Sequence, residues 1–204
     1  DAYTEEVMTK HVSGRLKVAP EHTSDPVLKL MRKPSFKYFH LFKERFDKIN
    51  IRKKLNLQLI PYFISSHPAS EVEDMANLAA ETKDMGFQLE QVQGFTPTPM
   101  TVATVIYYSG YHPYTLKPTR TPKTKQERED QHKFFFWYKK ENKDWIRNTL
   151  NKVGRSDLLS KLLPENNSWK KNKTSHKIAQ HTFDDAIPFN KRKKKVSRAP
   201  KKRR

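Results

Sequence analysis

Residues 55–68, LNLQLIPYFISSHP, decide the fold class of this chain. The first five alternate between apolar and polar side chains. The run from Ile60 to Ile64 then continues as the apolar sequence of a strand that is buried on both faces. Two serines and a histidine end the strand before Pro68. The segment therefore predicts a buried strand of a mainly parallel sheet.

A second strand and two helices are predicted upstream. Residues 14–19 alternate in the same way, and Pro20 is expected to end the strand they form. Asp25 is expected to cap a first helix, with Pro26 at the favoured first helical position. A second helix is expected to follow Ser35.

Downstream of the central strand the same order continues. Ser70 and Glu73 predict a capping box for a helix that Gly86 ends, and residues 89–95 predict a third strand. The order strand, helix, strand, helix, strand predicts three parallel neighbouring strands joined by right-handed crossovers. The apolar segment 101–108 fits either a helix or a strand.

The chain changes character in its second half. Residues 112–123 are rich in Pro, Thr and Lys and predict a linker. Thr124 and Glu127 form a capping box for a helix that leads into the aromatic residues 134–138. So many aromatics on one helix are expected to pack inward rather than to stack on nucleic-acid bases. Asn142 is expected to cap the next helix.

Positive charge is concentrated at the C-terminal end. The chain carries a formal net charge of +19, and residues 166–204 hold 14 Lys and Arg against two Asp, a net +12. Residues 1–165 therefore carry +7. Low hydrophobicity and high like charge predict a disordered tail. Such a tail either binds RNA or another polyanion weakly or only keeps the protein in solution.

Composition excludes several classes of protein. The chain has 204 residues and no Cys, so disulfides and thiolate metal sites are excluded. No P-loop, no dinucleotide fingerprint and no zinc-type histidine pair is present. No apolar run approaches the ~18 residues of a membrane span, and the N-terminus has no signal-peptide pattern. We therefore expect a cytoplasmic protein, and the absence of an initiator Met predicts a segment of a longer chain.

Polar residues follow each predicted strand. Glu21 and His22 follow the first, Ser66 and His67 the second, and Thr96 the third. Parallel strands end at one edge of the sheet, where ligands bind in such folds. Caps and turns explain many residues of this kind, but we expect that neither Glu21 nor His22 serves as a cap. Ser66 and His67 are adjacent and point apart on an extended chain, which disfavours a catalytic pair.

Three long ungapped blocks of the sequence are distinctive: LKVAPEHTSD at 16–25, PYFISSHP at 61–68 and EQVQGFTPTP at 90–99. They resemble the YgiQ-type family of radical SAM proteins. The similarity covers about residues 10–163 and leaves the basic tail outside.

This resemblance implies an α/β fold, the C-terminal part of a partial (β/α) radical SAM barrel. Residues 1–111 would form the last part of the barrel, residues 112–165 a helical C-terminal extension, and residues 166–204 the disordered basic tail. In the family, a Cys-x3-Cys-x2-Cys loop early in the barrel holds a [4Fe–4S] cluster whose open iron binds S-adenosylmethionine. That loop is absent here, so the cluster is expected upstream of this segment, which is not expected to be active alone.

The resemblance also implies which side chains lie beside the cofactor. Glu21 is expected to accept hydrogen bonds from a ribose hydroxyl or the methionine ammonium. Lys33 is expected to meet the methionine carboxylate, where relatives more often have Arg. The whole expected set is Glu21, His22, Ser24, Lys33, Phe63, Ser66, Phe95 and Thr96, of which Phe63 and Phe95 would flank the adenine.

Two functions of different classes fit the sequence. The first is a segment of a radical SAM enzyme that completes the cofactor and substrate rim. The alternative is a basic RNA- or polyanion-binding module without catalysis. A piece of a barrel should leave an open apolar sheet edge, whereas a complete binding module should not. We favour the enzyme segment, whose substrate the sequence does not identify.

Overall fold

A computed structural model of the chain describes residues 2–164. Its strands are β1 (Arg15–Glu21), β2 (Gln58–Ser65) and β3 (Val92–Gly94). Its helices are α1 (Ala2–Glu6), α2 (Asp25–Leu30), α3 (Lys37–Arg52), α4 (Val72–Asp84), α5 (Val102–Ser109), α6 (Lys125–Lys133), α7 (Lys140–Val153) and α8 (Ser156–Leu162). A π-helical turn (Val7–His11) continues α1, and a 3-10 turn (Phe134–Phe136) follows α6.

The three strands form one parallel sheet in the order β1-β2-β3. In its register Leu16 lies opposite Leu59, and Ser65 lies opposite Gly94. Helices α2 and α3 connect β1 to β2, and α4 connects β2 to β3. The predicted α/β class and the predicted strand order and direction are therefore confirmed.

Strand β1 continues past its predicted end. Pro20 lies within it, and the pairing with β2 shifts between Val18 and Glu21. A proline lacks the N–H of a ladder hydrogen bond, and such a loss is tolerated at an edge strand. Glu21 closes the strand with a left-handed φ of 69°. The register shift and the left-handed conformation of Glu21 change the direction of the backbone where the strand ends.

Strand β2 is fully covered on one face only. Leu59 and Phe63 lie on the buried face, whereas Ile60, Tyr62 and Ile64 on the opposite face are half-buried. The expectation that β2 is buried on both faces is therefore wrong for the described residues, because they cover its second face only in part.

Helix α4 begins one residue later than expected. Glu71 is its N-cap, and Asp74 Oδ2 accepts a hydrogen bond from the Glu71 N–H at 3.0 Å. The capping box predicted for Ser70 and Glu73 is therefore wrong by one position. Both pairs have the spacing of a capping box, and tertiary contacts of Ser70 described below decide between them.

Two other element boundaries differ from the expectations, and one segment that the sequence left open is assigned. Ser24, not Asp25, is the N-cap residue of α2. Strand β3 has three residues rather than the seven of 89–95. The ambiguous segment 101–108 forms helix α5, whose N-cap Thr101 accepts a hydrogen bond from the Thr104 N–H.

Helices α6 and α8 pack against α4, and α7 packs against α8 and the 3-10 turn. The predicted capping box of α6 is confirmed: Thr124 Oγ1 accepts from the Glu127 N–H at 3.1 Å, and Glu127 Oε2 accepts from the Thr124 N–H at 3.0 Å. Phe134 and Phe135 are fully buried, so the prediction of inward packing is confirmed. They lie in the 3-10 turn that follows α6 rather than within the helix.

Asn142 does not cap α7. Lys139 is the N-cap, and Asn142 lies in the first turn of the helix. Its Nδ2 donates to the Phe136 carbonyl at 3.0 Å. Asn142 therefore fastens the preceding turn to α7, a contact that helix-start patterns do not predict.

The predicted disorder of residues 166–204, and their predicted binding to polyanions, lie outside the described residues. The last residue expected in the extension, Glu165, also lies outside them. Among residues 2–164, no helix combines the length and the apolar character needed to cross a bilayer.

The packing of the aromatic cluster predicts a large effect of Phe135→Ala. Removing a fully buried phenyl ring leaves a cavity, and the free energy of unfolding should fall by about 3–5 kcal/mol. Tyr108→Ala is a matched aromatic control, since Tyr108 is 70% exposed, and it should change stability by about 0.5 kcal/mol or less. Urea denaturation of the whole chain measures both. Equal, small losses would contradict the packing role.

Candidate functional site

The carboxyl ends of the three strands lie along one edge of the sheet. Glu21 ends β1, Ser65 ends β2 and Gly94 ends β3. Because the strands are parallel neighbours, the residues that follow them share this edge. This strand-end rim contains most of the residues that the sequence singled out.

Glu21 and Lys33 form an ion pair at the rim. Glu21 Oε1 lies 3.4 Å from Lys33 Nζ, which also donates to the Ala19 carbonyl at 3.4 Å. The Glu21 side chain is 16% exposed and that of Lys33 is 39% exposed. The second carboxylate oxygen, Oε2, is buried and has no hydrogen-bond partner within residues 2–164. One of the two carboxylate oxygens of Glu21 therefore makes no hydrogen bond with the described residues.

His22 is fully buried directly beside this pair. Its Nδ1 accepts hydrogen bonds from the Thr23 and Ser24 N–H groups, both at 3.0 Å. In the neutral ring Nε2 therefore carries the proton, and it faces Ser70 Oγ at 3.4 Å. The pKa of His22 is lowered to about 4, because the effect of burial outweighs the opposite effect of the Asp74 carboxylate. The expectation that His22 is not needed as a helix cap is confirmed, because the two amides that it binds precede the first turn of α2, whose N-cap Ser24 has no side-chain cap hydrogen bond.

Gln131 of α6 joins the extension to the rim. It is buried, and its Oε1 accepts from the Ser66 N–H at 2.8 Å and from the Ser70 hydroxyl at 3.0 Å. Its Nε2 donates to the Ser70 carbonyl at 2.7 Å. With the contact between Ser70 and His22, these bonds form a continuous buried chain from β1 to α6. The sequence reasoning missed Gln131.

Ser66 and His67 are not joined by a hydrogen bond in the described part of the chain. Ser66 has a left-handed φ of 62°, and its Oγ has no hydrogen-bond partner in the described part of the chain. His67 Nδ1 lies 2.9 Å from the Pro68 carbonyl, to which it donates, and the ring packs edge-on against Phe95. Burial lowers the pKa of His67. His67 is therefore held as a neutral residue of the turn.

Three buried polar atoms at the rim lack a hydrogen-bond partner among residues 2–164. They are Glu21 Oε2, Ser65 Oγ and Ser66 Oγ. An unsatisfied buried polar group costs about 1–3 kcal/mol, and such groups are few in native proteins. All three atoms belong to residues at or directly after the ends of β1 and β2, so they lie along one edge of the sheet. The same residues contain no group of three His, Asp or Glu side chains placed to bind a metal ion.

A cleft with a volume of about 650 Å³ opens between the rim and the extension. Ser65, Phe95 and Thr96 line its sheet side. Residues of α6, the 3-10 turn and α7 line the other side, among them Arg128 and Lys139. The extension therefore forms one wall of a cavity whose other wall is the end of the sheet.

The structure brings only part of the expected cofactor set together. Phe95 and Thr96 border the large cleft, whereas Lys33 borders a separate cavity of about 230 Å³. Phe63 is fully buried and packs near Phe36 in the core, with their ring centroids 6.1 Å apart. Ser24 contributes its backbone N–H to His22.

The basic residues of the cleft were also missed. Lys125, Arg128 and His132 follow the spacing i, i+3, i+7, which places them on one face of α6. That spacing is a signal in the sequence. No local sequence pattern shows that this face of α6 packs near the strand ends, so the spacing alone does not identify a site.

The comparisons with known proteins place the chain in a family. A family model described as "Domain of unknown function (DUF3362)" matches residues 90–204, more than half of the chain. The chain belongs to the UPF0313, or YgiQ-type, family. The matched residues include the basic C-terminal segment, so the expectation that the family similarity ends near residue 163 is wrong.

Relatives in this family cover the chain along most of its length. The UPF0313 protein of Porphyromonas gingivalis is 60% identical over 168 residues, which is 82% of this chain and 26% of the relative. That of Bacteroides thetaiotaomicron is 60% identical over 81% of this chain and 27% of the relative. That of Methanocella arvoryzae is 40% identical over 78% of this chain and 26% of the relative. The chain thus spans about a quarter of the length of these family members. No solved structure matches it.

The three hydrogen bonds of Gln131 predict that Gln131→Leu is destabilising. The leucine would leave the Ser66 N–H and the Ser70 carbonyl buried without partners, and we expect a loss of about 2 kcal/mol or more in the free energy of unfolding. Gln126→Leu is the control on the same helix, because Gln126 is exposed and its side chain hydrogen-bonds to Asp130 at 2.8 Å rather than to buried backbone groups. Urea denaturation compares the two. A Gln131→Leu variant as stable as the control would remove the bridging role.

The lowered pKa of His22 predicts a specific dependence of stability on pH. The ring titrates near 4 in the folded chain and near 6.5 when unfolded. The unfolded chain therefore binds more protons between these values, and stability falls as the pH falls from 6.5 to 4.

The variant His22→Asn isolates this contribution, since its side-chain oxygen can still accept from backbone amides. Between pH 7 and pH 4.5 the parent chain should lose about 2–3 kcal/mol more unfolding free energy than the variant. Urea denaturation of both proteins at the two pH values measures this difference. The contributions of the other histidines are the same in parent and variant and therefore cancel. Parallel losses in both proteins would refute the assignment.

Proposed function

We propose that this chain is the C-terminal part of a cytoplasmic YgiQ-type radical SAM enzyme. Residues 1–111 belong to a partial (β/α) barrel and residues 112–165 to its helical extension, and the rim takes part in binding S-adenosylmethionine. The observation that carries the proposal is the set of buried polar atoms without a hydrogen-bond partner among residues 2–164, namely Glu21 Oε2, Ser65 Oγ and Ser66 Oγ.

The charges at the rim fit the amino-acid end of S-adenosylmethionine. That end carries an ammonium and a carboxylate close together, and the rim offers a carboxylate at Glu21 and an ammonium at Lys33, 3.4 Å apart. A zwitterion can pair with both without burying an uncompensated charge. Glu21 accepts from the ammonium or a ribose hydroxyl through its unused oxygen, and Lys33 pairs with the carboxylate.

The iron–sulfur cluster does not fit this chain. Biological [4Fe–4S] clusters are held by thiolates, and the sequence contains no Cys. In the complete enzyme the cluster is held by residues outside the chain. When bound there, the cluster would supply the electron that cleaves a carbon–sulfur bond of S-adenosylmethionine. This chain contributes the binding and orientation of the cofactor.

The buried hydrogen bonds of His22, Ser70 and Gln131 fix the backbone of the rim. His22 stays neutral at physiological pH and holds the backbone that follows Glu21. Gln131 holds Ser66 in its left-handed conformation through the Ser66 N–H. These are positioning residues, since their hydrogen bonds go to the protein itself.

The open face of the sheet supports a partial barrel. On one face of β2, Ile60, Tyr62 and Ile64 are only half-buried. Further elements of a barrel would cover this face, and a further strand would pair the free edge of β1. The alternative, an RNA- or polyanion-binding module without catalysis, accounts neither for this half-covered face nor for the buried Glu21 oxygen that no described residue pairs.

The proposal predicts that Glu21→Gln weakens cofactor binding in the full-length, cluster-loaded enzyme. Losing a charge-assisted hydrogen bond to the ligand costs roughly 1.5–3 kcal/mol, or about 10–150-fold in the Kd of S-adenosylmethionine. Equilibrium binding by calorimetry measures the change. The melting temperature should stay nearly constant, since a partly exposed ion pair contributes only ~0–1 kcal/mol to stability.

Glu90→Gln is the matched control. Glu90 is exposed and precedes β3, at the opposite edge of the sheet. It should leave the Kd unchanged. If Glu21→Gln and Glu90→Gln bind S-adenosylmethionine as tightly as the parent enzyme, the rim does not contact the cofactor and the proposed site is wrong.

A further inference from the structure

The cleft between the sheet and the extension has the size of a small-molecule site. Its volume is about 650 Å³, and ligand pockets of drug-sized molecules commonly span ~300–1,000 Å³. It is open to solvent, and Ser65 at the end of β2 is one of its lining residues. A molecule bound here would lie beside the rim.

The helical wall carries cations that the described fold does not neutralise. Arg128 is half-buried, and its guanidinium makes no ion pair or hydrogen bond with any of residues 2–164. Lys139 Nζ lies 4.4 Å from the centroid of the Phe136 ring and has no carboxylate partner in the same part of the chain. Both side chains face one cavity, so their charges add there.

The remaining charges of this wall are largely paired. Lys125 lies 3.6 Å from Glu129, and Lys133 lies 2.7 Å from Asp130. Glu141 also lines the cleft, where it is exposed and without a partner in the described residues. Among the described lining residues, the two unpaired cations Arg128 and Lys139 therefore outnumber the one unpaired carboxylate, and the lining carries a net positive charge.

Two further groups point to an anionic ligand. Ser65 Oγ is fully buried and lacks a hydrogen-bond partner in the described part of the chain, although it lies on the wall of the cleft. The His132 ring packs edge-on against Phe135 and Phe136, and its nitrogens bond to no described residue. Burial and the nearby charge of Lys139 lower the pKa of His132, so the neutral ring offers one N–H donor.

We propose that this cleft binds the phosphate group of a small phosphate-ester substrate. The Arg128 guanidinium is a planar fork that matches phosphate oxygens two at a time, and Lys139 supplies a second charge for a dianion. Ser65 Oγ and His132 donate the neutral hydrogen bonds, and the Phe95 and Phe136 rings flank the rest of the molecule. This inference rests on the proposed function, because it assigns the substrate class to the cavity that adjoins the proposed cofactor rim.

Phenyl phosphate is the probe, since it combines a dianionic phosphate with a flat ring. It is titrated into the whole 204-residue chain while amide chemical shifts are followed by NMR. We expect saturable shifts at Gly94, Phe95 and Arg128, and we expect Arg128→Gln to raise the Kd by about 10-fold or more. Lys143→Gln is the control, since Lys143 is an exposed residue of α7 that does not line the cleft.

A steric variant tests the location independently of charge. A Cβ added at Gly94 would lie 4.0 Å from Ser65 Oγ, an ordinary contact that the fold tolerates. Gly94→Ala should therefore keep the melting temperature while narrowing the cleft and raising the Kd. Loss of binding without loss of stability supports the site.

Several results would overturn the proposal. Absent shifts, or shifts confined to residues 166–204, would place phosphate elsewhere. Equal affinity for benzoate would remove the requirement for a dianion. A single-stranded RNA that shifts the same amides at lower concentration would replace the small ester by a nucleic acid. S-adenosylmethionine binding by the full-length enzyme is measured separately, so each of these failures leaves the cofactor proposal standing.

Discussion

The pairing of β2 with a parallel neighbour on each side is the constraint on which the rest of the structure depends. This arrangement requires a crossover on each side of β2, which α2, α3 and α4 supply, and it brings three strand ends to one edge. The polar residues that follow the strands collect there because all three strands run in the same direction. The rim is thus a consequence of strand direction.

The extension contributes to that rim through one buried side chain. The Gln131 carboxamide satisfies a backbone N–H and a backbone carbonyl of the loop after β2, and it accepts the Ser70 hydroxyl. A buried polar network is stabilising only when its members are satisfied, and this one is satisfied across two parts of the fold. The helices after residue 112 therefore act as a structural part of the rim rather than as an independent appendage.

Charge is divided between two places with different chemistry. At the end of β1 a carboxylate and an ammonium pair with each other, which suits a zwitterion. Across the cleft Arg128 and Lys139 lack carboxylate partners within the described residues, which suits an anion. The two sites adjoin the same sheet edge. A radical enzyme needs a cofactor and a substrate side by side, and the proposed functions of the two places meet that need.

The sequence by itself determined the class of fold, the order and direction of the strands and the position of most helices, because periodicity and caps are local signals. It located Glu21, His22 and Ser66 at strand ends for the same reason. Tertiary structure decided which of two capping boxes starts α4 and how much of β2 is covered. It alone brought Gln131 to Ser66, 65 residues apart in sequence, and turned one face of α6 toward the strands. Such contacts depend on how whole elements pack, and no local pattern encodes that.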